Sequence, residues 1–247
     1  MHTTKPRDVL GALPEIKGFQ EVTLIDWDEK ISSILFLGGC NFRCGFCHSS
    51  SLVTGVNSLE SIPFDNVAGF LKEKQGWIDG VVITGGEPTL HEERLFNLIT
   101  AIKALGFSVK LDTNGTRPNI VKKLTDEGYV DYIAMDIKAP FVKEAYEKAA
   151  GVQVDIDIIK LSKDTIINSG IDYEFRTTVV PGIIGAFEIV EISKQLTGAK
   201  KYCLQQFVGR DCIDSTFIST KPYSLKEIER MATLAAEHLP KVIIRRN

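Results

Sequence analysis

The sequence predicts an α/β fold in which six parallel strands form an open, partial barrel, a (β/α)6 arrangement. Short apolar runs rich in β-branched residues alternate along the chain with amphipathic helical patterns. Most of these runs are apolar throughout, which is typical of strands buried on both faces of a parallel sheet. Six strands are too few to close an eight-stranded barrel, so we expect the barrel to be open, with ligands at the carboxyl ends of the strands.

The predicted elements follow one another in regular order. The strand-like runs are residues 31–37, 81–84, 107–111, 132–136, 173–179 and 202–206, and the helical patterns are 64–74, 92–105, 117–127, 144–150, 156–169 and 187–196. Residues 20–26 predict an additional N-terminal strand, residues 225–238 an amphipathic helix and residues 241–245 a final short strand. Because nothing resembles a linker, we expect one domain over 1–247, with its core at 31–207, an N-terminal extension at 1–30 and a C-terminal helix and strand at 208–247.

Composition excludes several classes of protein. The chain of 247 residues is 44% hydrophobic and has a formal net charge of -3, so no large basic surface for nucleic acid is expected. No apolar run reaches the roughly 18 residues that a membrane span needs, and residues 1–8 lack the apolar core of a signal peptide. We therefore expect a cytoplasmic protein that binds neither nucleic acid nor a membrane.

Three of the five cysteines lie in one loop, directly after the first predicted parallel strand. Cys40, Cys44 and Cys47 have the spacing C-x3-C-x2-C, which favours metal binding over disulfides in a reducing compartment. Three thiolates can hold an iron–sulfur cube and leave one iron free to bind a small molecule. A zinc site completed by His48 is the alternative.

This triplet, with the aromatic residue Phe46 before the last cysteine, resembles the signature of the radical S-adenosylmethionine (SAM) superfamily. The whole chain resembles the activating enzymes of glycyl-radical proteins, most of all the activator of anaerobic ribonucleoside-triphosphate reductase. The further segments that carry this resemblance are residues 16–20, 84–88, 112–115, 135–140, 176–182 and 204–207. In that family Pro-Gly-Cys often begins the loop and Pro-Tyr-Cys-His ends it. Here Gly38-Gly39-Cys40 and Gly45-Phe46-Cys47-His48 keep the spacing.

The resemblance implies a barrel of the radical SAM type, one [4Fe–4S] cluster on the three cysteines, and SAM at the open iron. Reductive cleavage of SAM would give a 5′-deoxyadenosyl radical, which takes a hydrogen atom from a glycine of a partner enzyme. The implied partner is anaerobic ribonucleotide reductase, and the implied electron donor is a flavodoxin or ferredoxin. Two alternatives stay open: a radical enzyme that acts on a small molecule, as 7-carboxy-7-deazaguanine synthase does, and a non-catalytic iron–sulfur or zinc protein.

Gly85, Gly86 and Glu87 follow the second predicted parallel strand. Two glycines let a ligand approach the backbone, and a carboxylate can accept hydrogen bonds from an ammonium group. The resemblance implies that Glu87 and nearby backbone groups hold the amino group of SAM. The alternative is a plain turn that opens a helix with Pro88 near its first position.

The next two strand ends carry polar residues. Taken alone, the segment from Asp112 to Gly115 reads as a turn with a helix cap, and Asp136 with Lys138 reads as an ion pair. The resemblance implies instead that Asp112, Thr113 and Asp136, with the backbone oxygen of Ala134, bind a monovalent cation. It also implies that Asp112, Asn114 and Lys138 contact the cofactor.

The last two strands add further candidates. A guanidinium fork suits a carboxylate, and the resemblance places Arg176 on the carboxylate of SAM; pairing with Asp112 or Asp136 is the alternative. Val179 is expected to pack on the adenine end of the cofactor, or else to belong to a plain strand end. The remaining expectations are that Gln205 or Gln206 faces the cavity, that Cys203 and Cys212 are structural, and that His48 is not catalytic.

Overall fold

The computed structural model describes residues 12–246, which contain a single sheet of eight strands in sequential order from β1 to β8. The strands are β1 (Ile16–Thr23), β2 (Ser32–Leu37), β3 (Gly80–Gly85), β4 (Ser108–Thr113), β5 (Tyr132–Asp136), β6 (Asp172–Val179), β7 (Tyr202–Gln206) and β8 (Val242–Arg245). The first and last strands do not pair, so the sheet is unclosed. The predicted α/β fold with an open, mostly parallel barrel is confirmed.

The number of parallel strands differs from the prediction. β1 is antiparallel to β2, and all strands from β2 to β8 are parallel, so there are seven parallel strands in place of six. The final strand pairs with β7, Tyr202 opposite Val242. The sequence pattern predicted this strand but not its neighbour, because sheet order depends on how the preceding helix packs.

Eight α-helices lie in the described part of the chain. They are α1 (Ser50–Thr54), α2 (Phe64–Glu73), α3 (Glu93–Ala104), α4 (Pro118–Asp126), α5 (Lys143–Ala150), α6 (Ile156–Asn168), α7 (Ala186–Gln195) and α8 (Leu225–Ala236). All but α1 were predicted to within two residues. α8 begins at a capping box in which Ser224 and Glu227 bond each other's backbone amides, a signal visible in the sequence.

Two apolar cores lie on opposite faces of the sheet. The larger one fills the space between the sheet and the helices and contains residues such as Leu35, Ile83 and Phe175, each fully buried. The smaller one lies inside the barrel and consists of Trp27, Ile34, Val82, Tyr132 and Ala134, with Phe36 packed against it. A parallel strand between two apolar layers must be apolar on both faces, which explains the continuous runs in the sequence.

The segment between β1 and β2 closes the amino end of the barrel. Residues 24–31, which we call the amino-end plug, place the Trp27 ring against Tyr132, with ring centroids 5.8 Å apart. A Cβ atom at Gly80 would lie 2.7 Å from this indole, so only glycine allows the approach. The prediction placed a strand at 20–26, but β1 ends at Thr23, whose hydroxyl donates to Asp26 where the chain turns inward.

A buried ion network joins the plug to the far edge of the sheet. Glu174 on β6 is fully buried, and its two carboxylate oxygens accept from Nη1 and Nη2 of Arg245 on β8 at 2.8 and 3.1 Å. Lys110 and Lys201 each lie 3.3 Å from this carboxylate, and Asp28 of the plug lies 3.0 Å from Arg245. Burial disfavours the charged carboxylate, but Lys110 and Arg245 outweigh burial and hold the pKa of Glu174 well below its usual value.

Candidate active site

A cavity of about 350 Å³ opens at the carboxyl ends of the strands. It brings together twelve of the fourteen residues that the sequence proposed for the site. They are Cys40, Cys44, Phe46, Cys47, Gly85, Gly86, Asp112, Thr113, Asn114, Asp136, Lys138 and Arg176. Residues from five strand ends converge here because the carboxyl ends of parallel strands meet at one end of a barrel. Glu87 and Val179 do not line the cavity.

The cysteine loop is fixed to its surroundings by backbone hydrogen bonds. The amide of Gly39 donates to the carbonyl of Leu52, and the amide of Arg43 donates to the carbonyl of Ala150, both at 2.8 Å. The Arg43 guanidinium donates to the carbonyl of Cys40 at 2.6 Å. Because the start and the middle of the loop are held, the thiols face the cavity at set positions.

The donor set fits an iron–sulfur cube. All three thiols are free, and burial raises the pKa of Cys40, and that of Cys44 to about 12, so the thiolates need a nearby positive charge such as bound iron. Within residues 12–246, no three His, Cys, Asp or Glu side chains converge closely enough to hold one metal ion. Three separate thiols can each bind a different iron atom of a cluster.

The two glycines of the turn after β3 bring two backbone segments together. A Cβ atom at Gly86 would lie 1.9 Å from the carbonyl oxygen of Gly39, and one at Gly85 would lie 2.3 Å from that of Leu37. The amide of Glu87 donates to the carbonyl of Gly39 at 2.7 Å. The turn therefore supports the start of the cysteine loop while its glycines line the cavity.

The Glu87 carboxylate lies behind this turn and does not line the cavity. Its side chain is buried, and its oxygens accept from the Thr113 hydroxyl at 2.8 Å, from the Asn114 amide at 2.6 Å and from the Thr89 amide and hydroxyl. Burial raises the pKa of this carboxyl, opposed by these hydrogen bonds. Glu87 thus joins the β3 turn to the end of β4, and its contact with the amino group of SAM stays a prediction.

Four charged side chains form a compact cluster on the cavity wall. Arg176 donates from Nε to Asp136 and from Nη1 to Asp112, both at 2.8 Å, and Lys138 lies 2.9 Å from the second oxygen of Asp136. Burial opposes the charge of Asp136, but Arg176 and Lys138 outweigh burial and lower its pKa to about 2. The cluster carries two positive and two negative charges, and these residues form the ion pairs that the alternative reading expects.

One atom of this cluster lacks a partner. Asp112 Oδ1 is buried and accepts no hydrogen bond from the described residues; Lys110 Nζ lies 3.9 Å from it. Thr113, which the resemblance groups with the two aspartates, uses its hydroxyl to donate to Glu87 and to accept from the Gly115 amide at 3.1 Å. The structure therefore brings Asp112 and Asp136 together around Arg176, and it turns the Thr113 hydroxyl elsewhere.

Asn114 contacts the cysteine loop directly. Its side-chain amide donates to Asn41 at 2.8 Å and lies 4.0 Å from the sulfur of Cys40, and its oxygen accepts from the Thr116 amide at 3.0 Å. The amide of Phe42 also donates to the Cys40 sulfur, at 3.4 Å. Hydrogen bonds to ligand sulfurs are one way in which a protein adjusts the reduction potential of a cluster.

Strand alternation explains which residues the sequence reading missed. Val179 is fully buried in the outer core, whereas its neighbour Thr178 lines the cavity. Counting by two from Arg176 would have selected Thr178. Gln205 and Gln206 both line the cavity, and Gln206 also donates to the carbonyl of Tyr223 at 3.2 Å.

Gln20 on β1, Asp26 of the amino-end plug and Ile34 on β2 also line the cavity, although no motif marked them.

The cysteines outside the loop differ in position. Cys203 is fully buried in β7, and burial raises its pKa to about 11. Cys212 is also buried, and its sulfur lies 3.7 Å from the carbonyl oxygen of Phe46, next to the cysteine loop. His48 lines the cavity.

Comparison with known proteins agrees with this geometry. Residues 34–186, which include the cysteine loop and the charged cluster, match the sequence model of the Radical SAM superfamily. The chain belongs to this superfamily. Membership implies a [4Fe–4S] cluster and SAM as cofactors, and the three cysteines fit the cluster.

Individual relatives extend the comparison beyond the family match. The chain is 30% identical over 234 residues to a Methanocaldococcus jannaschii protein named "Putative glycyl-radical enzyme activating enzyme MJ1227", covering 93% of this chain and 95% of that one. It is 34% identical over 124 residues to 7-carboxy-7-deazaguanine synthase of Neisseria meningitidis, which covers 50% of this chain and 51% of the relative.

A solved structure supports the fold. Streptococcus suis SuiB bound to S-adenosylmethionine matches with a TM-score of 0.63 and 17% identity, covering 87% of this chain. The chain spans about half of that structure, 51% of its length, so the likeness concerns the barrel alone. In the chain itself, no helix within the described residues has the length and apolar character of a membrane span.

Proposed function

We propose that this radical SAM enzyme cleaves SAM reductively and generates a glycyl radical on a partner enzyme. The observation that carries the proposal is the full-length similarity to a protein named as a glycyl-radical enzyme activating enzyme, at 30% identity over 93% of the chain. The cavity supports it, because the cysteine loop and a cluster of ion-pairing residues face the same space. When bound, the cluster and SAM supply one-electron cleavage of a carbon–sulfur bond.

The residues of the chain bind and orient SAM. Arg176 and Lys138 are the cations that face the cavity, and both can hold a carboxylate, Arg176 through its planar fork. Gly85 and Gly86 line the cavity with backbone groups, which can accept from an ammonium group, and Phe46 contributes an apolar wall. Asp136 keeps Arg176 and Lys138 in place through bonds of 2.8 and 2.9 Å.

We propose anaerobic ribonucleotide reductase as the partner and a flavodoxin or ferredoxin as the electron donor. Support for the partner comes from the chain's resemblance to the activator of that reductase in its strand-end motifs. The sheet is open between β1 and β8, which leaves room for a polypeptide loop as the substrate. Support for a separate donor is chemical, because clusters of this kind work at low potential.

A monovalent cation at Asp112 is a further part of the proposal. The buried Asp112 Oδ1 atom has no hydrogen-bond partner among the described residues, and an oxygen-rich site suits a hard cation. A cation there would share the two aspartates with Arg176. The dependence of SAM binding on potassium or sodium should then disappear in Asp112→Asn.

A radical enzyme that acts on a small molecule is the second candidate. The partial match to 7-carboxy-7-deazaguanine synthase favours it over half of the chain only. The two candidates make different products: a glycine-centred radical on a protein, or a transformed small molecule.

The decisive experiment is anaerobic reconstitution with iron and sulfide, followed by reductant and SAM. We expect 5′-deoxyadenosine from the wild-type enzyme and none from Cys44→Ala. Addition of a glycyl-radical reductase from the same source should then give a glycine-centred electron paramagnetic resonance signal. Nucleoside formation without that signal, together with conversion of a small-molecule substrate, would favour the second candidate; a cluster-loaded enzyme that forms no nucleoside would contradict both.

A further inference from the structure

Residues 209–219, which we call the cluster cover, lie against the cysteine loop and belong to none of the sequence motifs. The amide of Asp214 donates to the carbonyl of Gly45 at 2.9 Å. The sulfur of Cys212 lies 3.7 Å from the carbonyl oxygen of Phe46. Both acceptors lie between the second and third cysteines, so the cover is bonded to the backbone that carries two of the three cluster ligands.

Phe217 makes the main side-chain contact of the cover. Its ring packs edge-to-face on Phe46, with centroids 6.2 Å apart, and on Phe207 at 6.3 Å. Phe46 is 5% exposed and lines the cavity, whereas Phe217 does not line it. Phe217 therefore lies behind Phe46 and limits how far that ring can withdraw from the cavity.

Glycines at two positions allow this close fit. A Cβ atom at Gly45 would lie 3.0 Å from the Phe217 ring and 3.2 Å from the Cβ atom of Asp214. At Gly209 it would lie 2.7 Å from the carbonyl oxygen of Phe217. Gly45 belongs to the cysteine loop and Gly209 to the cover, so a residue without a side chain on each side leaves room for Phe217.

The contact has a consequence for the cluster. The solvent exposure of an iron–sulfur cluster affects its reduction potential, and a cluster with an open iron reacts with oxygen that reaches it. Ile213 in the cover and Val208 directly before it also line the cavity with apolar side chains. The cover thus replaces water with apolar groups on one side of the cysteine loop.

We propose that the cluster cover, held in place by Phe217, positions Phe46 and Cys47 and shields the cluster from water and oxygen. Phe217 is a positioning residue, because it acts through Phe46 and does not line the cavity. The proposal rests on membership in the radical SAM superfamily and is independent of which substrate or partner the enzyme uses.

The test compares Phe217→Ala with Ile218→Ala, a matched truncation at the neighbouring position, whose side chain is 52% exposed. Both variants are reconstituted anaerobically, and the loss of the cluster's visible absorbance is followed after exposure to air, without SAM or a partner. We expect Phe217→Ala to bleach at least roughly three- to tenfold faster than the wild type, the ratio by which loss of the aromatic pair with Phe46 alone raises the open population. Ile218→Ala should bleach at the wild-type rate, and Phe217→Tyr, which keeps the ring, should restore it.

Equal bleaching rates in Phe217→Ala and Ile218→Ala would overturn the proposal. A Phe217→Ala protein with wild-type circular dichroism that binds less iron than Ile218→Ala would support the positioning role. If Phe217→Ala does not fold, Gly45→Ala replaces it, because its methyl group displaces the cover from the other side. Bleaching of Gly45→Ala at the wild-type rate would then contradict the proposal that the cover shields the cluster. Since the assay contains no partner enzyme, a failure here is separable from a failure of the proposed function.

Discussion

The two ends of the barrel interior use the same kinds of side chain for different purposes. At the amino end, Glu174 is surrounded by Arg245, Lys110 and Lys201, and the plug covers them. At the carboxyl end, Arg176 lies between two aspartates, but the cluster borders an open cavity.

The difference shows which end can bind a ligand. Both oxygens of Glu174 accept hydrogen bonds, and the charges around it are covered by protein. At the other end Asp112 Oδ1 accepts no hydrogen bond from residues 12–246, and Lys138 and Arg176 face the cavity. A buried network in which every polar atom is hydrogen-bonded stabilises the fold and has no atom left for a ligand. A network beside a cavity that keeps an atom without a hydrogen bond can accept one from a ligand.

The largest expected effect compares two cysteines inside the same barrel. Cys44→Ala removes a cluster ligand, and we expect cluster content and SAM cleavage to fall to background, a loss on the order of a thousandfold or more. Cys203→Ala, its matched control in β7, removes a small buried side chain and should keep full iron content at a cost of about 1 kcal/mol in stability. Iron analysis and nucleoside release measure both. Full iron content in Cys44→Ala would show that this end does not hold the cluster.

Glu174→Gln tests the amino end. It leaves Arg245, Lys110 and Lys201 buried without their shared carboxylate, and breaking a buried pair from one side typically costs about 3–5 kcal/mol. We expect that loss in the free energy of unfolding by urea. Asp136→Asn breaks a comparable network beside the cavity, where water can solvate the remaining cations, and should cost less. If both variants lose the same stability, the two ends do not differ as described.

Arg176→Lys tests whether the carboxyl-end network binds a ligand. The variant keeps the positive charge but loses the fork, and a lost charge-assisted hydrogen bond corresponds to roughly 10- to 100-fold weaker SAM binding. Anaerobic equilibrium dialysis measures the dissociation constant. Arg245→Lys at the amino end is the control and should leave that constant unchanged. Unaltered SAM binding in Arg176→Lys would make its network purely structural.

The smallest expected effect is a pH dependence of the amino-end network. The pKa of Glu174 is lowered from 4.5 in the folded protein, so its contribution to stability is complete above about pH 4.5 and is lost as the pH falls toward the folded pKa. The stability difference between wild type and Glu174→Gln should shrink by about 1.4 kcal/mol for each pH unit below 4.5. Urea unfolding at several pH values measures this change. A difference that stays constant down to pH 3 would mean that Glu174 is not stabilised as an anion.

The sequence by itself determined the α/β class, nearly every helix and strand, and the location of the cysteine loop. These features are local: hydrophobic periodicity defines each element, and Cys40, Cys44 and Cys47 lie within eight consecutive positions. Residues at successive strand ends could be grouped into one site because parallel strands all end on the same side.

Only the tertiary structure decided how those residues face one another. It turned the Glu87 carboxylate toward Thr113 and Asn114, placed Arg176 between two aspartates, and joined residue 28 to residue 245 across the open barrel. It also placed the cluster cover on the cysteine loop. Contacts between residues so distant in the chain depend on packing and on strand alternation. The chemistry of the site was therefore readable from local motifs, while its geometry arose from long-range contacts that no local pattern encodes.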